Sequence, residues 1–270
     1  MTQPFTYHSR DDLASILTGK ITRGELTPGM ALPSERSLAD EYHLSRSMVR
    51  EALRVLVERR LIEVIPGRGS FVRATTVDDA VERMIEVFDH RGVTLRALIE
   101  ARAMIESTAV SLAAERATST DIASITVACD SCEASQDVIE QVQWDLAFHL
   151  AIVQAAGNTL MLTMFRALQP YIVELLIRSL TDADVTSEGL VYHTRIVRAI
   201  RNRNALRAEQ EMRDHLMLGL TLFGPDIDRN LNLVAREAMH RISSRRMTVE
   251  DLLRLTGDHP MARSPAMGVP

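Results

Sequence analysis

At 270 residues, with 46% hydrophobic and 25% charged residues, the chain has the length of about two domains and the composition of a folded globular protein, which excludes a disordered one. The first twelve residues lack the basic lead and apolar core of a secretory signal, and no stretch approaches the ~18 uninterrupted apolar residues of a membrane helix, so a cytoplasmic protein with no membrane segment is expected. The net charge of −5 disfavours a nucleic-acid partner only if spread evenly, yet residues 1–74 hold 11 Lys and Arg against 9 Asp and Glu, the rest 20 against 27, and from Arg46 to Arg73 seven arginines face three glutamates.

In chain order, residues 11–23 (DDLASILTGKITR) space apolar residues at helical intervals, and Gly24, Pro28, Gly29 and Pro33 then hold a loop. Ser34 is a good N-cap for a short helix through Tyr42, and Ser45 for a longer one to about Arg60. LIEVI (61–65) and SFVR (70–73) are β-rich runs separated by Pro66-Gly67-Arg68-Gly69, the pattern of a hairpin. Two helices with a short break followed by a hairpin read as a winged helix-turn-helix over residues 1–75.

From Val77 onward only amphipathic helical stretches appear, over 77–90, 94–116, 119–135, 137–156, 158–180, 187–202 and 204–223, with breaks at Gly92, Gly157 and Gly224-Pro225. The expected fold class is mainly α: three helices and a β-hairpin wing, then a bundle of six or seven helices over 76–224. Residues 225–270 read as an extension, with a helix over 226–244 and a mobile tail over 257–270. Cys129 and Cys132 form a single CxxC with no second pair to complete a zinc site, and read as two thiols on one face of a helix. Met161, Met164 and Phe165, at helical spacing, read as core.

A DNA-reading helix needs side chains on its first turn that reach base edges, flanked by groups that hold phosphates. Arg46 and Arg50 lie four apart on one face, and an arginine fork can pair bidentately with guanine; Val49, Leu53 and Leu56 fall on the opposite side, to pack on the preceding helices. Arg36 opens the preceding helix at the groove edge, while Gly67 lets the wing backbone approach the sugar-phosphate chain and Arg68 adds charge there. A lone Arg-x-x-x-Arg is ordinarily a solvated helix face. Here the whole run LPSERSLADEYHLSRSMVREALRVLVERRLIEVIPGRGSFV resembles the winged helix-turn-helix of the GntR family, through LPSER, SR, VREAL, LI and GxGxFV. The resemblance implies that Arg36, Arg46, Arg50 and Gly67 contact the operator, with Ser45 and Ser47 as helpers. Two positions depart from it: His43 and Arg60 stand where the family usually has glycine.

Asp145 and His149 in WDLAFHLAIV are four residues apart and project from one helix face, the spacing a metal needs for two ligands from one element; His193 and His215 follow on later helices. Singly, each is more often an ordinary core or surface residue. Downstream of a GntR-type wing, however, the segment from about 78 to 223 resembles the FCD ligand-binding domain of the FadR subgroup, through Glu100, Arg102 and Glu106 in E-x-R-x-x-x-E, the D-x-x-x-H pair, Gly157-Asn158, the HTRIVRAIRNRN helix and EMRDHL. The resemblance implies that Asp145, His149, His193 and His215 coordinate a divalent ion with open positions for water or ligand. Zinc leads the expectation, and nickel, iron or manganese suit the same donors. It also implies that Arg102 clamps the carboxylate of a small organic-acid effector, with Glu106 orienting Arg102. Where the family usually has an acidic residue directly before the third ligand, this chain has Val191-Tyr192, which puts the support of His193 in doubt.

The expected function is a ligand-responsive repressor. A homodimer binds palindromic double-stranded operator DNA, and the effector changes the spacing of its two reading heads through the segment near Ala74 to Val81. Two alternatives stand: a regulator that answers to metal alone, and a metal-dependent hydrolase, for which no general base accompanies the ligands at helix spacing.

Overall fold

In the computed structural model, residues 9–74, 76–179 and 183–242 are described, the side chains of 183–187, 241 and 242 excepted. The expected tail over 257–270, the last two residues of the helix expected to reach 244, and Thr75 in the segment near Ala74 to Val81 lie outside them. The chain divides into two compact units, Met1–Ala80 and Val81–Pro270.

In the first unit, α1 (Arg10–Thr22), α2 (Glu35–Tyr42) and α3 (Arg46–Glu58) each begin at a serine whose hydroxyl accepts an amide of the first turn: Ser9 from Asp12, Ser34 from Ser37, Ser45 from Met48. These caps satisfy amides with no partner inside the helix, which is why the starts at Ser34 and Ser45 were legible, while the Ser9 cap was not read from the sequence. Val49, Ala52, Leu53 and Leu56 recur at i, i+3, i+4 and i+7 along α3 and are buried in a core shared with Leu13, Leu17 and Leu38. β1 (Ile62–Ile65) pairs antiparallel with β2 (Gly69–Val72), in a register that sets Ile62 opposite Val72 and Ile65 opposite Gly69. Between them the Arg68 amide donates to the Ile65 carbonyl (3.0 Å), with Pro66 second and Gly67 third at φ +75°, the residue order of a type II turn. The loop before α2 gives β2 a second neighbour: Leu32 N–H donates to Ser70 O, Val72 N–H to Met30 O, and Ala31 bridges Phe71.

α4 (Val77–Arg91) begins in the first unit and continues into the second. Its start carries reciprocal capping bonds: the Thr76 hydroxyl accepts the Asp79 amide (3.1 Å), and the Asp79 carboxylate accepts the Thr76 amide (2.9 Å). Asp79 is buried and also meets Arg73 (3.0 Å) and Arg60 (3.3 Å). There follow α5 (Leu95–Arg116), α6 (Ser119–Ala134), α7 (Val138–Ala155), α8 (Thr159–Ser179), α9 (Ala183–Arg201) and α10 (Ala205–Leu222), then a short 3-10 turn, Gly224–Asp226, and α11 (Leu231–Ile242). α9 starts four residues before the expected 187. α5 and α7 supply both hydrophobic clusters of the bundle: Leu98, Ile99 and Leu146 face one, Ala103, Val110 and Phe148 the other. Helices apolar on more than one side occupy the centre, so the few polar residues they carry are forced inside.

α8 is long and apolar enough by length and composition to cross a membrane. It contains Arg166, Glu174 and Arg178, and buries Phe165, Ile172, Val173 and Ile177, the pattern of a core helix. Met161 and Phe165 lie in the core, with Met164 packed against it. α11, expected as part of an extension, joins that same core through Leu231, Val234, Ala235, Ala238 and Met239, while Leu231 N–H donates to Val93 O (2.8 Å) and the Asn232 amide to Glu174 (2.6 Å).

Candidate DNA-reading face and metal-binding cavity

Ser45, Arg46, Ser47 and Arg50 are exposed on the first turns of α3, and Arg36 is exposed on α2, 4.0 Å from Asp40. The Ser45 and Ser47 hydroxyls are 2.9 Å apart. Arg50 is held by a partner the sequence reading missed: its Nε and Nη2 donate to the two oxygens of Glu35 at 3.3 and 3.0 Å. That fork pairing fixes the guanidinium at the junction of α2 and α3, and a base or phosphate must compete with Glu35 for it. At the wing tip Gly67 is exposed, with open space where a Cβ would stand, and the Arg68 guanidinium lies 5.6 Å from the Phe71 ring centroid. His43 and Arg60, the two departures from glycine, adopt φ of +54° and +56°, the left-handed region that glycine enters without strain.

Inside the bundle, α7 brings Asp145 and His149, α9 His193 and α10 His215 to one place. Nitrogen atoms of the three histidines lie within 4.8 Å of one another. His149 Nε2 is 3.3 Å from His215 Nε2 and 3.7 Å from Asp145 Oδ1, and His193 Nε2 is 3.7 Å from Asp145 Oδ2. Burial, with the charges of His149 and Arg102 added, pushes His193 well below its ordinary value; burial and the neighbouring imidazoles do the same for His215. Both rings are therefore neutral, the form that ligates metals. Burial raises the Asp145 carboxyl, against the pull of His149 and Arg102.

Glu106 plays a larger part than orienting Arg102. One of its oxygens accepts Arg102 Nε at 2.6 Å and the other meets His149 Nδ1 at 2.5 Å, so one buried carboxylate holds both the arginine and the ring. Burial alone would raise Glu106, but Arg102 and His149 outweigh it and hold the carboxyl at about 2. Its pairing leaves His149 Nε2 turned toward Asp145 and His215, the carboxylate–histidine arrangement that orients metal ligands. A periodicity argument places Glu106 one turn from Arg102, but His149 is 43 positions away and no local signal joins them.

Several buried polar atoms here have no hydrogen-bond partner among the described residues: Asp145 Oδ1, His193 Nδ1 and Nε2, and His215 Nδ1. Leaving such atoms bare typically costs ~1–3 kcal/mol each. Three ring nitrogens on two neutral histidines and one carboxylate oxygen, orphaned in one cluster, include donors that a divalent cation would satisfy, so the residues present fit a metal. Beside the cluster lies a cavity of about 80 Å³, whose wall includes Arg102, Asp145, His215, Gln141, Ile99 and Phe223. Cys129 and Cys132 are both buried on α6, and burial pushes the Cys129 thiol up to about 11 and the Cys132 thiol higher.

Comparison with known proteins gives this arrangement its context. Residues 10–72 match the family model described as bacterial regulatory proteins, gntR family, and residues 97–217 match that of the FCD domain. The Glc operon transcriptional activator of Escherichia coli (strain K12) is 32% identical over 235 residues, spanning 83% of this chain and 89% of that one. The Galactonate operon transcriptional repressor of the same strain is 30% identical over 211 residues, spanning 76% and 92%. Among solved structures, Streptococcus agalactiae GntR superposes with a TM-score of 0.50 at 25% identity, covering 77% of this chain and 97% of its own. A reading helix and wing followed by a helical FCD domain, in the chain order of such relatives, make this a DNA-binding transcriptional regulator, and the chain belongs to the GntR family of bacterial regulatory proteins, FCD type.

Proposed function

We propose that the protein is a cytoplasmic, homodimeric regulator in which residues 76–224 bind a divalent metal and a small organic acid, and in which that binding changes the affinity of residues 1–75 for a palindromic operator. The observation that carries this reading is the convergence of Asp145, His149, His193 and His215, with Asp145 Oδ1, both His193 nitrogens and His215 Nδ1 buried and without a hydrogen-bond partner among the described residues. A divalent ion held there, with zinc the first expectation, would keep positions open for carboxylate or hydroxyl oxygens of the acid. Arg102 lines the cavity and spends Nε and Nη2 on Glu106, which leaves further donors of its fork for the acid's far end.

Arg36, Ser45, Arg46, Ser47, Arg50, Gly67 and Arg68 form the DNA-contacting set, with Arg46 and Arg50 reading base edges and the wing tip following the backbone. Repression is the favoured sign, an acid that binds the free protein better than the operator complex releasing it. A coupling of ~1–3 kcal/mol would shift operator affinity 5- to 150-fold.

The test is elemental analysis and native mass spectrometry of wild type and His149→Ala, followed by operator titrations with and without short hydroxy- and dicarboxylic acids. The expected result is about one ion per chain, lost in the variant, and an operator affinity that answers to one of the acids. An operator affinity that follows metal dose but no acid would make the ion itself the signal. Absence of metal from the gently purified wild type would remove the four-residue site.

A further inference from the structure

We propose that Cys132 supplies a thiolate to the ion held by Asp145, His149, His193 and His215, making the centre a mixed nitrogen, oxygen and sulfur site. The inference rests on the metal reading above and extends it to a residue on a helix that the ligand spacing does not include. Two sets of ligating atoms share a residue: one joins His149, His193 and His215, the other joins Cys132, Asp145 and His193, and within each set the atoms lie within 4.8 Å of one another. His193 belongs to both, which brings the Cys132 sulfur within reach of an ion held at its ring. Cys132 is 1% exposed and forms part of the cavity wall together with Asp145, and both nitrogens of His193, the third member of its set, have no hydrogen-bond partner among the described residues.

The two cysteines differ although both are buried. Cys129 packs among Ala128, Phe148 and Ile196 in an apolar cluster, whereas the Cys132 thiol reaches the Gln141 carbonyl at a loose 3.7 Å and lines the cavity. A sulfhydryl is a weak donor, so displacing that contact costs little. Coordination replaces the S–H bond by a sulfur–metal bond and releases one proton to solvent, with no change in oxidation state. A thiolate added to imidazole and carboxylate shifts preference toward zinc and cobalt and away from manganese and magnesium, which favour all-oxygen sites.

Cobalt(II) loaded into the full-length protein reads the two claims separately: visible ligand-field bands report an ion in the site, and an intense near-ultraviolet sulfur-to-cobalt band reports a thiolate ligand. Wild type and Cys129→Ser are expected to show both. Cys132→Ser is expected to keep the visible bands, lose the near-ultraviolet band and bind zinc about tenfold more weakly. Visible bands in wild type without the charge-transfer band, or a charge-transfer band that survives in Cys132→Ser, overturns the thiolate ligand and leaves the histidine and aspartate site standing. Cobalt that does not bind wild type at all removes both. The wild-type spectrum decides the point even if the serine variant folds poorly.

Discussion

Glu106, fully buried and ionised, neutralises Arg102 and holds the ring of His149. Glu106→Gln removes the charge while keeping the shape, leaving a buried guanidinium unpaired, so a stability loss of about 3–5 kcal/mol is expected by urea unfolding. The same variant is expected to weaken metal binding about 10- to 100-fold by competition titration, because His149 loses its orienting carboxylate. An unchanged metal affinity would mean that His149 is positioned by packing alone. At the DNA-reading face the analogous partner is Glu35, which is exposed enough that its ion pair with Arg50 contributes to geometry more than to stability.

Two elements show how local and tertiary forces meet. The start of α4 is built on the Thr76–Asp79 box, with Arg60 and Arg73 closing on the same carboxylate. Hydrogen bonds from the Thr76 amide and hydroxyl, and then the two arginines, hold Asp79 at about 2 against its ordinary 3.8. Folding lowers this pKa, so the ionised group contributes stability fully above pH 3.8 and loses it as the pH falls through about 2. Urea midpoints measured across that window should fall in wild type and stay flatter in Asp79→Asn. The second element is α10, where Gly219 passes close to α5: a Cβ there would meet the Phe223 ring at 2.7 Å and Ile99 Cδ1 at 2.9 Å. Gly219→Ala gains roughly 1 kcal/mol of helix propensity but overpacks by about 1–3 kcal/mol, so a net loss in thermal unfolding is expected. Gly219 and Phe223 both line the cavity, so the same change also narrows it.

For the whole molecule, the surface proposed to meet DNA includes a positive stretch in an otherwise acidic chain. Operator affinity should fall steeply with salt, linearly on a log–log plot. Arg68→Ala, at the wing tip, is expected to lower affinity for all sequences and reduce the magnitude of the salt slope by about one. Arg46→Ala is expected to cost about 1–3 kcal/mol on the operator and to relax discrimination at one position. Equal losses on operator and random DNA from Arg46→Ala would reassign that residue to the phosphate backbone.

By itself the sequence determined the order and nature of the elements. Serine caps, the i, i+3, i+4, i+7 apolar spacing of α3 and the Pro-Gly wing turn are signals contained within a few residues, and physical constraints on the backbone make them readable without context. The family resemblance implied four ligand positions, an arginine oriented by Glu106 and a DNA-contacting set, but not which other polar groups meet. Tertiary structure alone paired Glu35 with Arg50, closed the Thr76–Asp79 box with two distant arginines, drew α11 into the bundle core and set Glu106 against His149 across 43 positions. For Glu106 and His149 the reason is burial: once α5 and α7 are enclosed by apolar helices, a charged side chain there must find a partner among whatever the packing brings within reach, and only the three-dimensional arrangement decides which one that is.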